Sequence, residues 1–200
     1  MKQAMIFAAG LGTRLRPLTD TMPKALVRVG GEPLLHRVIM NLKSAGFERI
    51  VVNVHHFAEQ IIDYLKTNDN FGLDIRISDE SDALLDTGGG IRKAAPLFDP
   101  SSPILIHNVD ILHNVDLATF YESAISHDAT LMVSERKTSR YLIFNDEMRL
   151  RAWINIKTGE VKPQPSQSTE GLRAAFSGLH VFSPRLFPLM AEWPDKFGII

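Results

Sequence analysis

The sequence predicts an α/β fold, a mainly parallel, mixed β-sheet flanked by helices, and two observations carry that expectation. Short apolar runs alternate with stretches of helical periodicity through the first 130 residues. Beyond Leu131 the texture changes to strand-like runs with no clear helical period between them. A parallel strand pair needs a crossover connection, and a helical crossover covers one face of the sheet, so alternation implies a parallel sheet with helices on both faces.

The elements follow in order. Ala4 to Ala8 is apolar throughout and reads as a buried strand. Pro33 then opens a helix, since its ring presets a helical φ and its missing N–H costs nothing in the first turn. Leu34, Leu35, Val38, Ile39 and Leu42 fall on one face of that helix, and Gly46 closes it. Ile50 to Val54 is a second strand, Ala58 to Lys66 a helix, and Ile75 with Ile77 marks a third strand. Ile91 to Ala95 reads as a short helix after a run of glycines, and Pro103 to His107 as a fourth strand ending at "NVD". The later runs "YLIFN", "RLRAWINI" and "AAFSGLHVF" read as antiparallel strands or an extension of the same sheet, with Phe144, Trp153, Phe176 and Phe182 in its core. Between them "GEVKPQPSQSTEG" has the composition of a mobile loop. The whole reads as one Rossmann-like domain over residues 1–200, with a change of character between 1–130 and 131–200.

Composition narrows the function classes. A formal net charge of −1, from 22 Lys and Arg against 23 Asp and Glu, gives no global reason to expect nucleic acid or an anionic membrane as a partner. Anion binding must therefore be local. The chain has no cysteine, which excludes disulfides and thiolate metal sites. No apolar run approaches the ~20 residues of a membrane span, and "MKQAMIFAAG" reaches glycine too soon for a signal peptide, so the expectation is a soluble, cytoplasmic protein.

The richest stretch is "FAAGLGTRLRPLTDTMPKALV", Phe7 to Val27. A dinucleotide fingerprint requires a third glycine where Leu15 stands, and an acid at the end of the second strand where Asn53 stands. A P-loop requires Lys-Ser or Lys-Thr where the chain has Thr13-Arg14. What remains is a loop whose glycines admit backbone N–H groups close to an anion, with Arg14 as a guanidinium fork and Lys24 as a point charge. Two cations and a glycine turn suit a triphosphate. The same residues also suit a strand-to-helix turn carrying solvated basic side chains. Asp110 stands at the carboxyl edge of the sheet, where open α/β folds bind ligands, and there it is a candidate magnesium ligand or a turn residue. His55 and His56 are neighbours in an extended segment, so their rings face opposite ways and do not readily share a metal ion. By position they edge the nucleotide pocket.

Taken together, "AAGLGTRLRPLT" with "PKALV", "LLDTGGGIRKA", "NVD" and "FSGLHVFSP" resemble the ordered signatures of the sugar-phosphate nucleotidyltransferases, the nucleoside-diphosphate-sugar pyrophosphorylases. The resemblance spans nearly the whole chain and implies the nucleotide-diphospho-sugar transferase type of sheet, with a nucleotide-binding half at 1–130 and a sugar-binding half at 131–200. It implies a reaction in which a sugar 1-phosphate oxygen attacks the α-phosphorus of a nucleoside triphosphate and expels pyrophosphate. Two anions must meet, so the protein's task is charge neutralisation and alignment rather than covalent catalysis. By resemblance Arg14 serves the β- and γ-phosphates and Lys24 the α-phosphate and incoming sugar phosphate. Gly10, Gly12 and Thr13 line the phosphates, Ala8, Ala9 and Gly10 the base and ribose, and Thr87 and Gly88 the base. Asp110 holds Mg2+, and Asn108, Tyr141 and Gly178 face the sugar.

The sequence also departs from the pattern. Val109 replaces the middle glycine of N-G-D, the glycine expected after Tyr141 is absent, and "VKP" at Val161 to Pro163 lacks the usual glutamate, so no lysine is carried over there. A second metal aspartate, from W-x-D-x-G-T, is expected beyond residue 200, with "WPD" at Trp193 to Asp195 a poor substitute. The expectation is then a shortened chain that binds nucleotide but turns over slowly. Within the family the chain is most similar to N-acetylmuramate 1-phosphate uridylyltransferases, with mannose or heptose 1-phosphate guanylyltransferases as the alternative. A regulatory subunit that binds nucleotide sugar without turnover is the alternative from another class.

Overall fold

A computed structural model describes residues 1–163 and 170–199. They form two compact units, residues 1–130 with 180–199, and residues 131–179.

The first unit starts with β1 (Lys2–Phe7), followed by a glycine loop and a two-stranded ribbon of β2 (Arg28–Val29) and β3 (Glu32–Pro33). Then come α1 (Leu34–Ser44), β4 (Phe47–Val54), α2 (Ala58–Thr67), β5 (Asp74–Asp79), α3 (Asp86–Ala94), β6 (Ile104–Asn108) and α4 (Leu117–Ala124). The strands pair in parallel in the order β6–β1–β4–β5. Met5 lies opposite both Val51 and Ile106, while Ala4 lies opposite Ile50 and Leu105. Side chains alternate along a strand, so these two sets face opposite sides of the sheet. On the Met5 side the core is completed by Ile91 and Ala94 of α3 with Phe98, Ile104 and Phe182. Both sets are fully buried, as expected of a sheet covered on two faces.

The α1 stripe holds as the sequence predicts: Leu34, Leu35, Val38, Ile39 and Leu42 are all buried, Pro33 occupies the cap, and the Gly46 N–H donates to the Lys43 carbonyl at 3.0 Å. Two expectations need correction here. The α3 helix begins at Asp86, so Gly88 to Gly90 lie inside it rather than before it. Glycine weakens a helix, but here burial of Ile91 and Ala94 against the sheet overrides propensity. Phe182 belongs to the core of the first unit, whereas Phe144, Trp153 and Phe176 do pack in the second. The α4 helix is an addition. Asp116 caps it, accepting from the Thr119 N–H at 3.1 Å and from the Thr119 hydroxyl at 2.9 Å, and Leu117, Tyr121 and Ala124 are its buried face.

The second unit holds most of β7 (Ala129–Ser134), then β8 (Arg140–Phe144), β9 (Leu150–Asn155), β10 (Glu160–Lys162) and β11 (Leu172–Phe182) as far as Leu179. Strands β10, β9, β8 and β11 pair antiparallel in that order, and β7 pairs with β11. Leu142, Phe144 and Ala174 form its core, with Leu131, Val133, Trp153 and Phe176 packed around them. Residues 164–169 of the Pro-, Ser- and Gln-rich segment lie outside the described residues, whereas Glu160 to Lys162 near its start form β10 rather than a loop, because they pair with β9. Among those described, no helix is long and apolar enough to cross a membrane.

Tyr121 ties α4 to the sheet: its hydroxyl donates to the Pro103 carbonyl at 2.8 Å and its ring meets Phe47 edge-on at 5.2 Å. Burial pushes its phenol pKa up to about 12. The unfolded chain ionises this group near pH ~10, so its contribution is intact below that value and is lost as pH rises towards 12. Tyr121→Phe is expected to lower stability by about 1 kcal/mol at pH 7 and to flatten the alkaline loss. Urea unfolding at pH 7 and across pH 9–12 checks both.

Candidate active site

The carboxyl ends of β1, β4 and β6 meet at one edge, with Phe7 paired to both Asn53 and Asn108. Beside them opens a cavity of about 330 Å³, lined by Ala9 and Gly10 of the glycine loop, by Asp86 and Thr87 of α3, and by Asn53, Glu80 and Asn108. Where β1 ends, the N–H groups of Ala8 and Ala9 donate to the Asn53 side-chain oxygen at 2.7 and 3.3 Å. The Asn53 amide then donates to Glu80 Oε1 at 2.7 Å, and Glu80 Oε2 accepts from the Leu85 N–H at 3.1 Å. An amide at position 53 does what an acid cannot, accepting from the backbone and donating onward at once.

The glycine loop turns at Gly12, whose φ of 64° is left-handed and whose carbonyl accepts from the Leu15 N–H at 2.8 Å and the Thr19 hydroxyl at 2.9 Å. A Cβ there would sit 2.9 Å from Thr19 Cγ2, so glycine is required twice over. Thr13 and Arg14 follow in a single 3-10 turn and are exposed, and Arg14 has no hydrogen-bond or ion-pair partner among the described residues. Lys24, held after buried Pro23, forms an ion pair with Asp110. The structure thus brings together two residues that lie 86 positions apart. Val109, the departure from N-G-D, is buried, and its N–H donates to the Phe7 carbonyl at 3.3 Å, so the extra side chain is absorbed by the core and Asp110 keeps its place.

Beneath this loop His107 is fully buried, and burial pushes its pKa down to about 4, so the ring is neutral at physiological pH. Its Nδ1–H donates to the Asn108 carbonyl at 2.7 Å, leaving Nε2 to accept from His113 Nε2 at 3.0 Å. His113 Nδ1 in turn accepts from the Val115 N–H at 3.2 Å, so the pair braces the segment around Asp110 from both sides. His55 donates to the Glu80 carbonyl at 2.6 Å, while His56 stacks on Phe57 with ring centres 3.9 Å apart; the two rings serve different partners.

The first two glycines of α3, Gly88 and Gly89, face the chain's own residues 195–199, whereas Gly90 faces Glu80 and Asn53. The Gly88 and Gly89 N–H groups donate to the Phe197 carbonyl at 2.9 and 3.2 Å, which caps the helix start. A Cβ on Gly88 would lie 2.1 Å from the Phe197 ring, and one on Gly89 would lie 2.2 Å from the Asp195 carbonyl. Arg92 fastens the same segment, donating to the Met190 and Trp193 carbonyls, pairing with Asp195 at 2.8 Å and stacking on Phe197. The close approach at Gly88 is therefore to Phe197, while Thr87 and Asp86 face the cavity. In the second unit the Tyr141 hydroxyl accepts from the Thr138 N–H at 3.2 Å, and Gly178 is buried in β11. Among the described residues no three His, Asp or Glu side chains cluster as a metal site.

Four polar contributors to the cavity escape the sequence reading as site residues: Asn53, Glu80, Asp86 and Lys196. Glu80 sits in "SDESD", which looks like a solvated acidic run, and only its burial separates it from its neighbours.

Residues 3–190 match the profile of the nucleotidyl transferase family. The chain belongs to that family. A nucleotidyl transferase relative, the N-acetylmuramate alpha-1-phosphate uridylyltransferase of Neisseria meningitidis serogroup B, is 43% identical over 124 residues, covering 62% of this chain and 53% of its own length. The enzyme of the same name from Caulobacter vibrioides is 46% identical over 111 residues, covering 54% of this chain and 46% of its own. The chain thus spans about half the length of these curated relatives. Among solved structures, HddC from Yersinia pseudotuberculosis superposes with a TM-score of 0.78 at 25% identity, covering 99% of this chain and 83% of that one.

Gly88→Ala in this nucleotidyl transferase is expected to eject Phe197 from α3, leaving two amides uncapped. Trypsin should then cut after Lys196 at least ~10-fold faster, and Trp193, which meets Phe197 edge-on at 4.9 Å, should change its emission. Limited proteolysis and fluorescence check the two effects.

Proposed function

We propose that the chain transfers a nucleotidyl group from a nucleoside triphosphate to a sugar 1-phosphate, giving a nucleoside-diphosphate sugar and pyrophosphate. UTP and N-acetylmuramate 1-phosphate are the proposed pair, which the two uridylyltransferase relatives support. The observation that carries the reading is the meeting of Lys24 and Asp110 at the carboxyl edge of a parallel sheet, beside an exposed Arg14 on a glycine loop. A cation and a hard oxygen donor stand together where a phosphoryl group needs both.

In this reading the backbone at Ala8, Ala9 and Gly10 with Thr87 bounds the base and ribose, and Gly12 and Thr13 shape the phosphate loop. Arg14 takes oxygens of the leaving pyrophosphate, and Lys24 stays with the α-phosphate as the sugar phosphate oxygen attacks. An exposed carboxylate fits magnesium in the mode where substrate phosphates complete the shell, so Asp110 would hold Mg2+ jointly with the nucleotide. Bound there, the ion would neutralise phosphate charge. Asn108, which lines the cavity, is the sugar-side candidate of the first unit, whereas Gly88, Tyr141 and Gly178 rest on resemblance alone. The proposed compartment is the cytoplasm, in keeping with nucleoside triphosphates and sugar phosphates as the proposed substrates.

Pyrophosphate release measured with four nucleoside triphosphates against several sugar 1-phosphates tests the reading. UTP with N-acetylmuramate 1-phosphate should be the best pair. GTP with mannose or heptose 1-phosphate as the best pair would reassign the base, and binding without release would make the chain a regulatory subunit. Lys24→Ala should lower kcat ~100-fold or more, because its charge acts mainly in the transition state. Arg14→Ala should weaken triphosphate binding about 10-fold more than sugar-phosphate binding, by separate calorimetric titrations.

A further inference from the structure

We propose that Glu80 is a positioning residue for the nucleotide, whose carboxyl group ties together two of the segments that line the cavity. The inference rests on the reading that this cavity takes a nucleoside triphosphate.

Glu80 is fully buried, follows β5 by one residue and has no Lys or Arg partner among the described residues. Burying an acid away from cations is unfavourable unless its oxygens are bonded, and here each oxygen has one donor. Of those donors Asn53 itself lines the cavity, and Leu85 stands between Leu84 and Asp86, which also line it. Oε1 accepts from Asn53, which itself carries the Ala8 and Ala9 N–H groups, and Oε2 accepts from Leu85, immediately ahead of α3. One carboxyl group therefore links the backbone that leads into the glycine loop with the backbone that leads into Asp86 and Thr87. The clearance is tight, since a Cβ on Gly90 would lie 2.8 Å from Oε1. Glu80 is also fixed at its own backbone, its N–H donating to the Val54 carbonyl at 2.7 Å and its carbonyl accepting from His55. A shift of its side chain thus has to appear in those segments rather than in β5.

The bonds run in one direction, from backbone N–H to Asn53 oxygen and from Asn53 amide to Glu80 oxygen. Glu80→Gln breaks the sequence, because the new amide must face either the Asn53 amide or the Leu85 N–H, donor against donor. Adding Asn53→Asp restores it. The carboxylate then at position 53 can accept from the Ala8 and Ala9 N–H groups and from the amide at position 80, whose own oxygen can accept from Leu85, with the same number of bonds and the same net charge. A residue needed only for folding would alter the amount of folded protein. A positioning residue alters affinity for one substrate.

The test compares wild type, Glu80→Gln and the double variant Asn53→Asp/Glu80→Gln by calorimetric titration with UTP and, where turnover is measurable, by KM for each substrate. Glu80→Gln should weaken UTP binding about 10-fold and raise the nucleotide KM, with the sugar-phosphate KM within about 3-fold of wild type. The double variant should return to within about 3-fold of wild-type affinity. A folded Glu80→Gln protein that binds UTP as wild type does overturns the proposal, and so does a double variant that is unfolded or fails to recover affinity. Should Glu80→Gln not fold, the double variant decides alone. Wild type that binds none of the four nucleoside triphosphates overturns the functional reading itself, a result distinct from any of these.

Discussion

Where β1 runs out at Phe7, its backbone leaves the sheet while still buried, and the amides of Ala8 and Ala9 must find acceptors there or cost their desolvation. Asn53 supplies the acceptor from the neighbouring strand. Much of the candidate site depends on that one satisfied exit. It fixes where the glycine loop begins and therefore where Thr13 and Arg14 emerge. On the other side of β1 the Phe7 carbonyl takes the Val109 N–H, which anchors the turn that carries Asp110. Lys24 and Asp110 meet because their two loops leave adjacent strands from one register.

The α3 helix shows a second consequence of backbone accounting. A helix start exposes amides that need acceptors, and Gly88 and Gly89 lack the side chains that would keep an acceptor away. The chain fills that opening with residues 195–199, contributing a carbonyl to two amides and an aromatic ring to the bare surface. Arg92, two turns or less along the same helix, holds the segment by carbonyl contacts and by an ion pair with Asp195. Because Asp195 is almost wholly exposed, the carbonyl contacts and the packing of Phe197 matter more than the charge pair.

How much is legible in the sequence varies with the range of the determining interaction. The α1 stripe and the four parallel strands are readable because local apolar periodicity decides them. Arg14, Lys24 and Asp110 stand out because their types and flanking residues state a chemistry, although their meeting does not follow from any local rule. Local reading misplaces the start of α3 because propensity penalises the glycines, and a tertiary cap from Phe197 outweighs that penalty. It puts Phe182 in the wrong core because the chain passes from one unit to the other within β11, with no break in its apolar pattern. Asn53 is legible only as a failed acid, and Glu80 not at all. Their roles come from partners 45 and 27 residues away, and polar residues give no periodic signal. The α4 helix does leave a sign, Asp116 three residues before Thr119, but its apolar face is too short to announce itself.

At rest Lys24 and Asp110 neutralise one another. An incoming anion that takes Lys24 strands a carboxylate, and a cation that takes Asp110 strands an ammonium group, so either one alone gains little more than it displaces. A ligand that brings both signs exchanges one ion pair for two. In the proposed function the pair would therefore act as a coincidence filter, giving little to orthophosphate or a divalent ion alone and more to a polyphosphate that arrives with its own counter-ion.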